Sequence, residues 1–343
     1  MDLNRRPLIL APSSGAGWFG GSVLRASDPT HTLDSCSPRT AIELVQAAFD
    51  SPVPTLAVAL LPYEGDASAY VYQDFEILAG QAEAPSHPDG QVPPQEDLML
   101  DPVAEMDESS FTSAVLAAQQ SILAGDVYVL NLTYRVRGSA ALPPDLAFAR
   151  MRDTHPAPMA ALLGRPDSSI VSISPERFLS AYRDEGGSIE VTTQPIKGTA
   201  PRGSTPADDA KLAAALRASE KERAEHVMIV DMERNDLGRV CGAGSVAVDP
   251  MFEVMPTPYC HQMVSSVSGT LRPGTTLFEV IQATFPTGSV TGAPKLAAMN
   301  RIAQLEISPR GAYTGTLMVA IPGRMDSSVL IRTLEYSRSR VSW

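Results

Sequence analysis

The strongest constraint on the fold of this chain is the order in which strand and helix signals arrive. From Ala312 to Pro322 and from Ser327 to Tyr336, β-branched and apolar residues flank Gly323-Arg324-Met325-Asp326. Two such runs around a short glycine-containing segment predict a β-hairpin. Helices are signalled in separate blocks. Phe111, Val115, Ala118 and Ile122 recur at helical spacing, with Ser109 or Ser110 as cap and Gly125 as stop. A strand is expected next, from Val127 to Arg137. Thr205-Pro206-Ala207-Asp208 opens another helix by the N-cap and first-turn proline rule. Ser219 followed three residues later by Glu222 has capping-box spacing and launches a helix through about Met232. Strands in consecutive hairpins, with helices inserted in blocks, exclude the regular βαβ alternation of a parallel sheet. The expected class is α+β.

With 343 residues, 44% of them apolar, the chain can bury one large core or two ordinary ones. Its sharpest change of composition is Glu83 to Asp107, rich in proline, glycine and acid. This reads as an irregular connector that ends an N-terminal portion, residues 1–107, before a main body, residues 108–343. Both are expected to share one structural domain. No run of 18 apolar residues occurs, and the opening MDLNRRPLILAPSSG has too short an apolar stretch for a signal peptide or anchor. A cytoplasmic location is the expectation. Cys36, Cys241 and Cys260 lie far apart without metal-ligand spacing, which suits reduced structural thiols. A formal net charge of -12 repels nucleic acid and anionic membranes. It also requires that any anionic substrate be met by local arginine, lysine or a bound cation.

Five stretches carry candidate chemistry. In Gln194-Pro195-Ile196-Lys197-Gly198-Thr199 a lysine stands between a proline that fixes the backbone and a glycine that lets a ligand approach. Such a lysine is a nucleophile if buried beside another cation, and a solvated charge on an open loop. Glu176, in Ser174-Pro175-Glu176-Arg177-Phe178, follows an apolar strand; it is either a general acid of raised pKa or half of a local ion pair with Arg177. Glu222 and Glu225 share one helix face, an arrangement that suits Mg²⁺ and equally a solvated surface. Phe285 to Lys295 reads as a glycine loop opening a helix, with Thr291 as cap, a form that holds carboxylates or phosphates. Ala293 and Pro294 replace the Gly-Lys of a Walker loop, which removes a kinase or ATPase reading. Arg332 falls on the same face as Leu330 and Leu334 of an apolar strand, where it needs an anionic partner, either a substrate carboxylate or an internal acid.

The order and wording of SPERF, PIKGT, KERAEHVMIVDMERNDLGRV, HQMVSSVSGTL, FPTGSVTGAPK, AYTGTL and VLIRT resemble the chorismate-utilising enzymes, from about Phe111 onward. The resemblance implies an anthranilate-synthase-like two-layer β-sandwich surrounded by helices. Within that family Lys197 is similar to the lysine of the aminodeoxychorismate synthases, where anthranilate synthases usually have alanine. Gln262, in His261-Gln262-Met263, stands where anthranilate synthases carry the histidine associated with pyruvate loss. Val129 occupies the place of the water-activating lysine of isochorismate and salicylate synthases, and also departs from the glutamine common in amine-using members.

The resemblance implies amination of chorismate at C4, with Lys197 adding to C2 and Glu176 protonating the departing hydroxyl. Mg²⁺ would be held by Glu225, with Glu222 behind it. Thr199, Gly288, Ser289, Thr291, Tyr313, Gly315 and Arg332 would contact substrate. Ammonia would come from a separate glutamine amidotransferase subunit, since the chain carries no glutaminase-type Cys/His/Glu set. An anthranilate synthase component I is the alternative enzyme. A family glycine-rich turn and ExxxK helix are expected after the IRT strand, and the chain ends at Trp343 without them. A truncated, inactive fragment or partner-binding subunit is thus the alternative of another class, with the Ser327 to Tyr336 strand expected at a bare sheet edge.

Overall fold

The computed structural model describes residues 7–13, 17–78, 97–337 and 340–343. Its chain forms two compact units: Met1–Asp107, Tyr134–Arg177 and Ser308–Trp343 make the first, Glu108–Thr133 and Phe178–Ile307 the second.

Strand alternation builds the first unit. One antiparallel layer runs in the order Phe75–Leu78, Val23–Ala26, Leu8–Leu10, Met159–Gly164, Ser168–Ser174, Thr333–Ser337, Arg340–Ser342, Val136–Ala140, Met99–Ala104. The other contributes Arg324–Val329, Thr316–Ile321, Leu56–Leu61, Ala67–Tyr72 and His31–Cys36, in that order. Successive side chains go to opposite faces. Leu8 and Leu10 therefore meet Leu56, Val58, Tyr70, Leu317 and Val319 in a core between layers, while Ile9 joins Phe148 and Met151 of the Pro144–Thr154 helix. The Pro38–Phe49 helix buries Ala41, Ile42, Val45, Ala48 and Phe49 and packs on Leu56–Leu61 and Thr316–Ile321. Two sheet layers with helices against them are the α+β arrangement expected.

In the second unit the strands Ala247–Val248, Val267–Thr270, Ile189–Gln194 and Arg177–Arg183 are neighbours in that order. A three-stranded sheet joins Ile196–Pro201, Cys260–Val264 and Glu253–Pro256, and Gly292–Ala293 pairs with Val129–Leu130. The Glu220–Gly238 helix buries His226, Ile229, Val230, Glu233, Asp236 and Leu237 along one side.

Several local expectations change. The helix after the connector spans Glu108–Leu123, so Ser109 and Ser110 lie inside it; Gly125, at φ 80, does close it. The strand expected over Val127 to Arg137 is broken into Val129–Leu130 and Val136–Ala140. Between them the Asn131 N–H donates to Thr291 O and the Thr133 N–H to Glu306 Oε1 (3.1 Å), partners outside any ladder. The helix begun at Ser219 continues past Met232 to Gly238 because its buried stripe continues through Leu237. Half of the capping box forms: Ser219 Oγ accepts from the Glu222 N–H at 3.3 Å. The hairpin turn tightens to Pro322-Gly323, and its second arm stops at Val329. Thr333–Ser337 lies between Ser168–Ser174 and Arg340–Ser342, so it is not a bare edge. Of the Glu83 to Asp107 connector, residues 83–96 fall outside the described residues, and Met99–Ala104 is a strand paired with Val136–Ala140. Cys36, Cys241 and Cys260 are free thiols, and burial pushes Cys241 up to about 11. No described helix is long and apolar enough to cross a membrane.

Candidate active site

Lys197 lies in a β-bulge. Ile196 faces Val264 and Thr199 faces Gln262, so Lys197 and Gly198 together oppose Met263. A bulge bends its strand and re-aims the extra side chain. Gly198 makes this possible, for its φ of 87° is in the left-handed region and a Cβ there would stand 3.2 Å from Glu222 Oε2. Lys197 is half-buried, Thr199 exposed and Gln262 buried.

Behind the bulge is a buried hydrogen-bonded chain. His226, with no exposed surface, has Nδ1 3.1 Å from Lys197 O and Nε2 2.8 Å from Ser265 Oγ. The Phe252 N–H donates to the same Ser265 oxygen at 3.0 Å. Burial lowers the His226 pKa from its ordinary value, offset in part by the bond to Lys197 O.

Glu222 and Glu225 stand on the first turns of the same helix, with 26% and 40% of their side-chain surfaces exposed. Each places one carboxylate oxygen 3.9 Å from Lys221 Nζ, so the two already converge on one cation.

A second buried cluster holds the Phe285 to Lys295 loop. Glu233 Oε1 accepts from Thr287 Oγ1 (2.8 Å) and from the Gly288 N–H (3.2 Å). Burial raises the Glu233 pKa, against the pull of Lys295, Thr287 and the Gly288 amide. Gly288, Ser289 and Thr291 are all buried. The expected cap at Thr291 is not formed. Thr287 caps the short Gly288–Thr291 helix, and the Thr291 hydroxyl donates back to Thr287 O at 2.9 Å, because the long helix begins only at Lys295. Lys295 itself is committed to Asp236 and to Thr284 O. Val129 lies opposite Ala293, and its carbonyl oxygen would be 2.1 Å from a Cβ on Gly292.

Glu176, Tyr313, Gly315 and Arg332 all belong to the first unit. Glu176 is 4% exposed in the turn after Ser168–Ser174, its carbonyl accepting from the Val329 N–H at 3.1 Å. Arg177 binds Asp326 (Nε to Oδ1, 2.8 Å) and Gly17 O. Arg332 does not continue a flat strand as expected. Leu330 to Arg332 form the crossing from Arg324–Val329 to Thr333–Ser337, and Arg332 has φ 50° there. Its carbonyl accepts from the Ile173 N–H, and Leu330 bonds both the Thr314 N–H and Gly315 O. Gly315 is required by close approach, since a Cβ would be 2.4 Å from Leu61 O.

Sequence reasoning singled out Lys197, Glu222, Glu225 and the loop, and missed His226, Ser265 and Glu233. Helical spacing carried the missing signal: Ile229, Glu233 and Leu237 are four apart, a carboxyl in an apolar stripe.

Compared with known proteins, residues 37–343 match the family described as chorismate binding enzyme. An aminodeoxychorismate synthase of Streptomyces griseus is 42% identical over 238 residues, 69% of this chain and 32% of that protein. The chain thus spans about a third of that relative's length. An anthranilate synthase component 1 of Haloarcula marismortui is 38% identical over 339 residues, 94% of this chain and 68% of the relative. The crystal structure of anthranilate synthase component I from Streptococcus pneumoniae has a TM-score of 0.74 at 25% identity, covering 98% of this chain and 83% of that one. Sequence motifs, sheet architecture and the match over residues 37–343 agree, and the chain belongs to the chorismate-binding enzymes.

Proposed function

We propose that the chain replaces the C4 hydroxyl of chorismate by an amino group, giving 4-amino-4-deoxychorismate, with ammonia delivered by a glutamine amidotransferase partner. The observation that carries this reading is Lys197, a half-buried lysine in a β-bulge whose following glycine is in the left-handed region. The Lys197 nitrogen lone pair forms a bond to ring C2, the two ring double bonds shift, and the C4–O bond breaks. Glu176, buried in its turn, gives the departing oxygen its proton and water leaves. Ammonia then attacks C4, the double bonds return, the C2–N bond breaks to release Lys197, and the surplus proton returns to Glu176.

The donor set of Glu222 and Glu225 fits Mg²⁺, a hard cation that takes one or two carboxylates and keeps sites for water and anionic ligand oxygen. Each carboxylate has an oxygen 3.9 Å from Lys221 Nζ, which supports the reading that one cation could face both. Bound there, Mg²⁺ would supply positive charge for a substrate carboxylate. Arg332, Tyr313 and Gly315 would take the enolpyruvyl end, with Gly288, Ser289, Thr291 and Thr199 shaping the site. A chain of net charge -12 then admits a dianion through local reversal of sign.

Anthranilate formation is the second reading, favoured by the Haloarcula relative that covers 94% of this chain. Products separate the two. Chorismate, Mg²⁺ and ammonium are incubated with the purified chain, with and without an aminodeoxychorismate lyase. p-Aminobenzoate that appears only with lyase is the expected result. Fluorescent anthranilate formed without lyase would overturn the amination reading.

A further inference from the structure

We propose that His226 is a positioning residue for Lys197, holding the bulge in the one backbone conformation that presents the amine; this rests on the reading of Lys197 as nucleophile. For a neutral imidazole the geometry assigns every proton in the chain. Lys197 O can only accept, so Nδ1 of His226 carries a hydrogen and donates it. Phe252 N–H fills one acceptor direction of Ser265 Oγ, and the serine hydroxyl hydrogen is left for Nε2. One neutral tautomer of the imidazole is thereby fixed from both sides. The serine also reaches the other flank of the bulge, for its own N–H donates to Pro195 O at 3.4 Å. Pro195 and Lys197 carbonyls, on either side of Ile196, are thus both tied to one buried pair, His226 and Ser265.

Such a brace is needed because a bulge interrupts the regular ladder and Gly198 adds backbone freedom. A lysine on an unbraced bulge would lose attack geometry, and a displacement of about 1 Å costs on the order of 100-fold in rate. His226 has no exposed surface and Ser265 none, so the chain does not compete with water. The ring of Phe252 packs on His226 at 5.6 Å between centroids, with the Arg223 guanidinium on that ring at 4.4 Å. These contacts hold the imidazole plane.

The test compares His226→Asn, His226→Gln and His226→Leu in the full chain. Asparagine puts an N–H donor where the histidine has Nδ1 and keeps the bond to Lys197 O. Glutamine and leucine do not. Two readouts are taken: kcat and KM for chorismate at saturating ammonium and Mg²⁺, and the rate of Lys197 acylation by a water-soluble active ester. Peptide mass spectrometry reads that rate against Lys211, Lys221 and Lys295, the other three lysines of the chain and internal standards in the same sample.

His226→Leu and His226→Gln are expected to lower kcat by roughly 100-fold with little change in KM, and to change the relative labelling of Lys197 several-fold. His226→Asn should recover most of both. Equal behaviour of the asparagine and leucine variants, or an unchanged labelling ratio in His226→Leu, would overturn the proposal. If the leucine variant does not fold, Ser265→Ala replaces it, with partial loss expected and native behaviour counting against the brace. Should the native protein not aminate chorismate at all, the labelling ratio still decides the role of His226, so the two readings fail separately.

Discussion

At the scale of single residues, two buried or half-buried ionisable groups make different demands. Replacing Lys197 by alanine removes the proposed nucleophile while leaving the bulge, whose conformation depends on Gly198 and His226. Amination with free ammonia is expected to fall at least about 100-fold, the low end of what positioned catalytic groups supply. Chorismate binding by calorimetry should change little; unchanged turnover would remove the lysine mechanism. Glu233 tests burial instead. Its carboxyl is raised above the ordinary 4.5, first by desolvation. A raised carboxyl contributes stability that is fully present below pH 4.5 and is lost as the pH rises through the folded value. Glu233→Gln keeps an acceptor for Thr287 and Gly288 without the charge. The unfolding free energy of the variant minus that of the native chain should therefore grow more positive from pH 4.5 to pH 8, by about 1.4 kcal/mol for each unit of displacement, and the melting temperatures should diverge in the same direction. A gap independent of pH would mean that Glu233 does not titrate differently on folding. Lys197 was legible in sequence because proline and glycine bracket it. Glu233 was passed over because in Met232-Glu233-Arg234-Asn235-Asp236 it sits among charged neighbours, and only its phase on the helix reveals its burial.

At the scale of elements, local rules worked where side chains act on adjacent backbone. Thr205 and Ser219 cap their helices by accepting from the amides of Asp208 and Glu222, as the spacing implies. They fell short where the partner is distant. The Glu222 carboxyl leaves its capping box to lie by Gly198, and the Leu330 to Arg332 break follows from bonds to Ile173, Thr314 and Gly315 that no window contains. Two glycine substitutions, both at positive φ (87° and 142°), differ in what the added Cβ would meet. Gly198→Ala meets a left-handed φ, costing about 1–2 kcal/mol, and crowds the end of a flexible glutamate at 3.2 Å. It should fold with a lowered melting temperature and weakened Mg²⁺-dependent chorismate binding. Gly292→Ala would press on a backbone oxygen at 2.1 Å, where neither strand of the Val129–Leu130 and Gly292–Ala293 pair can yield cheaply. Loss of soluble protein is expected. If Gly292→Ala melted within a few degrees of native, the close approach at Val129 would be wrong. The same logic ranks the carboxylates. Glu225→Gln should weaken Mg²⁺-dependent binding more than Glu222→Gln, since a direct ligand costs more to neutralise than a group behind it. Identical magnesium titrations would contradict that order.

At the scale of the whole molecule, the α+β class was legible because hairpins and helix blocks are local patterns, and the registers were not. Leu8 lies opposite Leu163, and Ile170 opposite Glu335. Each unit is assembled from separated stretches, three in one and two in the other. Only one molecular property was fixed by composition alone, the net charge of -12, and it has a kinetic consequence. On the proposed reading, a chorismate dianion far from the protein feels the summed negative field, whereas at its site it would meet local positive charge. Screening acts mainly on the first, because the Debye length falls from about 30 Å at 0.01 M salt to about 8 Å at 0.15 M. Association of chorismate at constant saturating free Mg²⁺ should therefore speed up by a few-fold over that range, with dissociation, set by short contacts, changing less. Stopped-flow fluorescence at several concentrations of sodium chloride measures both rates. An association rate that falls with salt would show that local positive charge extends far enough to steer the substrate, and that the acidic surface is held away from its path.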